Sequence, residues 1–136
     1  MQFERDLRAE ENFLGWEIDE KYIANVTASF EGPAFANSLS LLAYIDGKVV
    51  GRIDSAKICS RFDGSVKAYL DWICVIKSYR HKGVAQMLLK ELRRQLKKSG
   101  VETLIALTDS NEASQRFYRK VPNSEMKNTG IWIDII

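Results

Sequence analysis

The segment from Val75 to Ala85 constrains the fold more than any other part of the chain, because it runs from an apolar strand through a basic turn into an amphipathic helix. The first N–H groups of a helix lack partners within the helix and carry partial positive charge, so this pattern is typical of a phosphate-binding turn. Gly83 permits close backbone approach, and Arg80 and Lys82 add full charges. A plain strand-to-helix turn with a solvated basic edge explains the same residues. Other segments are therefore needed to choose between these two interpretations.

Composition limits the classes of protein to which this chain can belong. With 136 residues and a net charge of +2, residues 1–136 are expected to form a single domain, and the charge suits a small polyanion better than a nucleic acid. The sequence has no signal-like start and no apolar run of about eighteen residues, so we expect a cytoplasmic protein without membrane contact. Cys59 and Cys74 lack metal-ligand spacing; we interpret them as buried free thiols of a reducing compartment and expect no metal.

Two Asp-Gly pairs predict turns between consecutive strands. Asp46-Gly47 separates the apolar runs Leu39–Ile45 and Lys48–Ile58, and Asp63-Gly64 precedes a third run, Val66–Ile76. Asp-Gly between alternating apolar residues is a strong hairpin signal. The sequence therefore predicts three antiparallel strands in succession.

Alternation along the third predicted strand assigns its side chains to two faces. Asp71, Ile73 and Val75 share one face. The other face carries Ala68, Leu70, Trp72, Cys74 and Ile76. A strand that is apolar on both faces is typical of the centre of a sheet. We therefore expect this strand to be central.

Helical periodicity and a closing apolar run complete the predicted fold. Apolar residues recur at helical spacing between Ile18 and Phe30 and, most clearly, over Val84–Lys98. A short strand, 101–108, follows, then a helix through Arg119 capped by a residue of 109–111, and last a strand over 131–136. Strand, helix and strand in this order imply parallel pairing. The fold class is mixed α/β: a mostly antiparallel sheet with a central parallel strand pair and helices on both faces.

Two motifs resemble signatures of the GNAT superfamily of N-acetyltransferases. Arg80-His81-Lys82-Gly83-Val84-Ala85 is similar to the Arg/Gln-x-x-Gly-x-Gly/Ala turn that holds the pyrophosphate of acetyl-coenzyme A (acetyl-CoA) in that family. Asn111, followed seven residues later by Tyr118, resembles the second signature. His81 stands where the family often has Gly, and Ser114 where it often has Ala. The resemblance covers roughly residues 39 to 120.

The resemblance implies acetyl-CoA as cosubstrate and assigns roles to particular residues. The backbone N–H groups near Ile73–Val75 would meet the thioester oxygen, Asn111 would bind the pantetheine arm, and Tyr118 would protonate the departing thiolate. Helix capping by Asn111 and core packing of Tyr118 are the alternatives. The residues implied in cofactor binding are Ile73, Cys74, Val75, Arg80, His81, Lys82, Gly83, Val84, Ala85, Asn111, Ser114 and Tyr118.

Other candidate groups are harder to assign. Asp71 stands where the family often has an acidic residue, and it is interpreted as the catalytic base, as a charge that positions a cationic substrate, or as a structural ion-pair partner. His81, the only histidine, titrates in a suitable range for a base but belongs to the pyrophosphate turn, away from the thioester. Cys74 has no histidine to activate it as a nucleophile, so core packing is preferred.

The resemblance thus predicts an N-acetyltransferase that transfers acetyl from acetyl-CoA to a primary amine by direct attack in a ternary complex. The acceptor is a small-molecule or protein amine, and no nucleic-acid or membrane partner is expected. The alternative is a noncatalytic acyl-CoA-binding or regulatory domain. An N-terminal strand has at most Met1–Phe3 available, and a homodimer is expected if short sheet edges pair across subunits.

Overall fold

The structure, a computed structural model, describes residues 1–108, 111–127 and 130–135. The chain forms two compact units, Met1–Ile105 and Ala106–Ile136. In chain order the helices and strands are α1 (Gln2–Glu10), α2 (Glu20–Ser29), β1 (Ser38–Ile45), β2 (Lys48–Cys59), β3 (Val66–Val75), α3 (Val84–Lys98), β4 (Thr103–Ala106) and α4 (Glu112–Arg119). Single 3-10 turns lie at Pro33–Phe35 and Lys77–Tyr79.

The four strands form one sheet in the order β1-β2-β3-β4. β1, β2 and β3 are antiparallel neighbours, and β4 is parallel to β3. The β1–β2 hairpin turns at Asp46 and Gly47, both with positive φ (50° and 77°), which suits the twist of the two strands. The predicted mixed, mostly antiparallel sheet with one parallel pair is confirmed.

A β-bulge at Asp71 divides β3. Trp72 pairs with Asp54 and Leu70 pairs with Ser55, so Asp71 has no partner on β2. Because an extra residue interrupts the two-residue alternation, Leu70 shares a face with Ser55 and lies opposite Trp72. Simple alternation would have placed Leu70 and Trp72 on the same face, and that expectation is wrong.

Helices cover both faces of the sheet, as predicted. On one face α3 approaches β2 so closely that a Cβ atom at Gly51 would lie 3.0 Å from Val84 Cγ1 and 3.1 Å from Leu88 Cδ1. On the other face α1 buries Phe3 and Leu7 with Cys74 and Ile76. The buried side of α3 consists of Val84, Leu88, Leu89, Leu92 and Leu96.

The structure answers one open question about the N-terminal half and corrects one expectation. Gln2 and Phe3 belong to α1 and not to a strand, because Phe3 and Leu7, one helical turn apart, bury together. The thiol of Cys59 is exposed at the end of β2, whereas that of Cys74 is buried as expected; both are free. In the part of the chain that the structure describes, no helix is long and apolar enough to cross a membrane.

The C-terminal segment also departs from the prediction. Residues 130–135 lie outside any strand, and the apolar side chains of Ile131, Trp132, Ile133 and Ile135 are exposed. An apolar run becomes a strand only where a partner edge pairs with it, so the predicted strand is wrong over 131–135. Ile136 and two of the proposed caps, Asp109 and Ser110, lie outside the described residues.

Candidate active site

The turn before α3 has the backbone geometry of an anion site. Gly83 is the N-cap of α3, with φ of 82° and no side-chain cap. The first helical hydrogen bond runs from Met87 N–H to Gly83 O at 3.0 Å, so the amides of the first turn point out of the helix without intrahelical acceptors. A Cβ at Gly83 would meet no atom within 4 Å. The turn therefore offers open, unsatisfied donors that fit a pyrophosphate.

The two basic side chains of the turn already have partners. Arg80 Nε donates to Val75 O at 3.0 Å, and Arg80 Nη1 donates to Glu11 Oε2 at 3.0 Å. Lys82 Nζ lies 5.3 Å from the centroid of the Tyr79 ring. The Arg80 charge is therefore shared with a carboxylate before any anion arrives.

The end of α1 holds this turn through a second carboxylate. Glu10 Oε1 accepts from Ser78 N–H at 3.0 Å, and Glu10 Oε2 accepts from Ser78 Oγ–H at 2.8 Å. Together with the Glu11–Arg80 pair, this contact joins the N-terminal helix to the turn. The sequence carries no local signal for it, since each pair is separated by 68 or 69 residues.

One hydrogen bond to β2 fixes the orientation of the backbone at the end of β3. Ile76 N–H donates to Val50 O on β2 at 2.9 Å. Since C=O and the next N–H point opposite ways, the Val75 carbonyl faces away from β2, and so do the N–H groups of Val75 and Ile73. They face the side of β3 on which β4 lies. Cys74 lies between Ile73 and Val75. Burial raises the pKa of its thiol, which favours a packing role over a role as nucleophile.

A cleft of about 410 Å³ opens in the first unit on the α1 face of the sheet. Its apolar lining is mainly aromatic, comprising Trp16, Tyr22, Phe30, Phe35 and Trp72. Its polar lining includes three carboxylates, Glu4, Asp54 and Asp71, with Arg52 and Ser40. The cleft has the size and mixed lining of a small-molecule site.

Asp71 reaches this cleft because of the bulge. Alternation predicted that it would share a face with Ile73 and Val75, but it lines the cleft together with Trp72. Its side chain is exposed. The bulge therefore places Asp71 on the side of β3 that faces the cleft, which sequence periodicity alone did not reveal.

Glu4 and Tyr22 join α1 to α2 at the wall of the cleft. Tyr22 O–H donates to Glu4 Oε1 at 2.5 Å, and Arg8 Nη2 lies 3.8 Å from Glu4 Oε2. Arg8 also donates to Trp16 O and packs over its ring at 5.5 Å. Partial burial is the main cause that raises the pKa of Tyr22, and the hydrogen bond to Glu4 raises it further. No sequence motif pointed to Glu4, Arg8 or Tyr22 as part of a site.

The second signature lies on α4, in the unit Ala106–Ile136. Asn111 caps this helix, with its Oδ1 accepting from Ser114 N–H at 2.8 Å, so the capping interpretation is confirmed. Tyr118 is half-buried and packs edge-to-face on Phe117, with ring centroids 5.2 Å apart. The roles of Asn111, Ser114 and Tyr118 toward acetyl-CoA stay predictions.

The mixed sheet, with an uncapped helix start after β3, has the architecture of the acetyltransferases that the two signatures resemble. The model of the GNAT acetyltransferase family matches residues 2–121. The chain therefore belongs to the GNAT family of acetyltransferases. No curated protein sequence is similar enough to be matched to it.

Solved structures of similar fold include enzymes with different acceptors. An aminoglycoside acetyltransferase, meta-AAC0020, from an uncultured soil metagenomic sample, in complex with sisomicin, superposes with a TM-score of 0.81 at 16% identity, covering 99% of this chain and 87% of the other. AAC(6')-Iy with a CoA bisubstrate analogue gives 0.76 at 21%, covering 99% and 91%. A ribosomal-protein-alanine N-acetyltransferase from Brucella melitensis gives 0.62 at 17%, covering 82% and 86%. At these identities the likeness establishes the fold.

Proposed function

We propose that this protein is an N-acetyltransferase that transfers the acetyl group of acetyl-CoA to a primary amine of a small-molecule acceptor. The observation that carries the proposal is the uncapped start of α3. Gly83 adopts a left-handed conformation there and leaves open space before the first-turn amides. An anion such as a pyrophosphate would satisfy these donors.

In the proposed reaction both substrates are bound together. Acetyl-CoA supplies a thioester whose carbon the neutral amine attacks, forming the C–N bond and breaking the C–S bond. Backbone N–H groups of Ile73–Val75 stabilise the charge that develops on the thioester oxygen. Tyr118 gives its phenolic proton to the departing thiolate, and the proton lost by the amine passes to water or to a base on the acceptor side. Three carboxylates, Glu4, Asp54 and Asp71, line this side.

The cleft beside Asp71 supports a small-molecule acceptor. Its volume of about 410 Å³ falls within the usual range for small-molecule sites. Two of the similar structures are aminoglycoside acetyltransferases, and an amine-rich acceptor is compatible with the carboxylates of this cleft. We also propose a cytoplasmic location, where acetyl-CoA is available and free thiols persist, and pairing of two copies through a sheet edge.

Calorimetric titration with acetyl-CoA and with its 3′-dephospho analogue is the first test. We expect saturable binding of acetyl-CoA and weaker binding of the analogue. The second test is release of free thiol from acetyl-CoA in the presence of amines, including the aminoglycoside sisomicin. Binding without thiol release from any amine would favour the noncatalytic acyl-CoA-binding domain, and absence of binding by the folded protein would refute both.

The variant Tyr118→Phe separates a chemical role of the phenol from a structural one. It removes one oxygen and leaves the ring that packs on Phe117. We expect unchanged affinity for acetyl-CoA and a kcat lowered by about a hundredfold, as is usual when a general acid is lost. Equal loss of acetyl-CoA binding and turnover would assign Tyr118 a structural role.

A further inference from the structure

We infer that the cleft selects an acceptor with a second positive charge besides the amine that is acetylated, and that Asp71 binds this second charge. The inference rests on the proposed function and narrows its substrate class to di- and polyamines. It is carried by the distribution of charge among the three carboxylates of the cleft.

Two of the three carboxylates have cationic partners within the protein. Asp54 Oδ2 lies 2.7 Å from Arg52 Nε, and Asp54 Oδ1 accepts from Ser40. Glu4 is 5% exposed and has Arg8 at 3.8 Å. Asp71 has neither an ion pair nor a hydrogen bond to any residue in the described ranges. It is therefore the carboxylate whose charge is left for a ligand.

The cleft also has an unsatisfied buried acceptor. Glu4 Oε1 accepts the Tyr22 hydroxyl hydrogen, but Glu4 Oε2, a buried atom of a residue that lines the cleft, accepts no hydrogen bond within the described chain. Arg8 Nη2 lies 3.8 Å from this oxygen, too far for a hydrogen bond, and is itself buried without an acceptor among the described residues. Buried carboxylate oxygens are normally hydrogen-bonded. An additional donor, such as an ammonium group or a hydroxyl of the acceptor, would satisfy this oxygen.

A cation already occupies a comparable environment in the same cleft. The guanidinium carbon of Arg52 lies 6.0 Å from the centroid of the Trp72 ring, while Nε of the same side chain pairs with Asp54. A carboxylate beside an indole therefore accommodates positive charge here. Asp71 and Trp72 line the same cleft, so an acceptor ammonium there has both a carboxylate and an indole in the surrounding wall.

The chemistry of acyl transfer assigns Asp71 to the amine that does not react. A carboxylate beside an ammonium stabilises its protonated form, whereas the attacking nitrogen must be neutral. Direct pairing of Asp71 with the attacking amine would therefore oppose the reaction. Pairing of Asp71 with a second ammonium leaves the attacking amine neutral and orients the acceptor, which lowers KM.

The test compares putrescine with butylamine, which have the same four-carbon chain and differ in one amino group. For the wild-type protein we expect kcat/KM for putrescine to exceed that for butylamine by about fivefold or more, the size of a partly exposed ion pair. In Asp71→Asn this advantage should vanish through a raised KM for putrescine, with the butylamine values unchanged. Glu102→Gln, which neutralises an exposed carboxylate outside the cleft, should behave as wild type.

Three other outcomes would be decisive. Equal kcat/KM for the two amines in the wild type would overturn the inference, and so would a lower kcat for both amines in Asp71→Asn, which would identify a proton acceptor. If no amine is acetylated, calorimetric titration of both amines into the CoA-saturated protein tests the inference separately from the proposed function. Tighter binding of putrescine that depends on Asp71 would keep the inference while the proposed function fails, and equal binding would overturn the inference.

Discussion

The turn before α3 and the acceptor cleft are two halves of one proposed site, but they are built in opposite ways. The turn draws its donors from consecutive residues around Gly83, so its geometry follows from local sequence. The cleft collects side chains from α1, α2 and three strands, between Glu4 and Trp72. A locally built site is readable from a motif, whereas a site assembled across the fold depends on register and packing.

The largest expected effect tests the turn. Gly83→Glu places a bulky anion in the open space before α3, in a left-handed conformation (φ of 82°) that disfavours side chains. The new carboxylate repels a pyrophosphate and fills its place. We expect affinity for acetyl-CoA to fall by more than about a hundredfold, which corresponds to more than about 2.8 kcal/mol, as measured by calorimetry.

Gly47→Glu is the matched control for this loss. Gly47 also has a left-handed φ, 77°, and open space around its Cβ position, but it lies in the β1–β2 turn. The two variants carry the same backbone strain and the same charge. If Gly47→Glu lost affinity to a similar extent, the effect would reflect instability, and the turn would not be the binding site.

The elements that depend on local sequence were predicted correctly. The bounds of α3, Val84–Lys98, and the Asp46-Gly47 hairpin were predictable because each depends on residues close in sequence. The bulge at Asp71 was not, because it is defined only by pairing with β2. The contacts of Glu10 and Glu11 with the turn were not predictable either, because no periodicity relates residues nearly seventy positions apart.

The next effect tests the wall of the cleft. Tyr22→Phe removes the hydroxyl that donates to Glu4 Oε1, leaving a buried carboxylate with its ion pair to Arg8 at 3.8 Å. We expect the free energy of unfolding to fall by about 2 kcal/mol, measured by urea denaturation, with unchanged affinity for acetyl-CoA. Tyr44→Phe on β1, where the side chain is 62% exposed, should change stability little.

The same hydroxyl makes stability depend on pH at the alkaline end. Partial burial and the hydrogen bond to Glu4 raise the pKa of Tyr22 above its usual value of 10.0. The folded state therefore holds this proton more tightly than the unfolded state, and the stabilisation is complete below pH 10.0 and is lost as the pH rises through the folded pKa. The stability difference between wild type and Tyr22→Phe should narrow there; a constant difference would contradict the assignment.

A smaller effect tests the link between the two regions. Glu11→Gln keeps an oxygen that accepts from Arg80 Nη1 but removes the negative charge 3.0 Å from that nitrogen. Both side chains are about one-third exposed, so the stability cost should be below about 1 kcal/mol. With the Arg80 charge no longer countered, affinity for acetyl-CoA should rise about fivefold at low salt, and the gain should shrink as salt is added. A loss of affinity would instead mean that the ion pair positions Arg80.

The smallest expected effect returns to the turn and to its one departure from the glycine-rich pattern. His81 has φ of 61°, a conformation that costs a residue with a side chain about 1 kcal/mol or more. His81→Gly relieves this strain but gives the unfolded chain more freedom, so the net stabilisation should be about 0.5 kcal/mol. Thermal and urea unfolding measure this gain, and His81→Ala, which keeps the strain, should not show it. If the imidazole contacted the pyrophosphate, both variants would lose affinity for acetyl-CoA equally; if only the backbone binds, both keep it, and the donors of this turn are set by chain conformation alone.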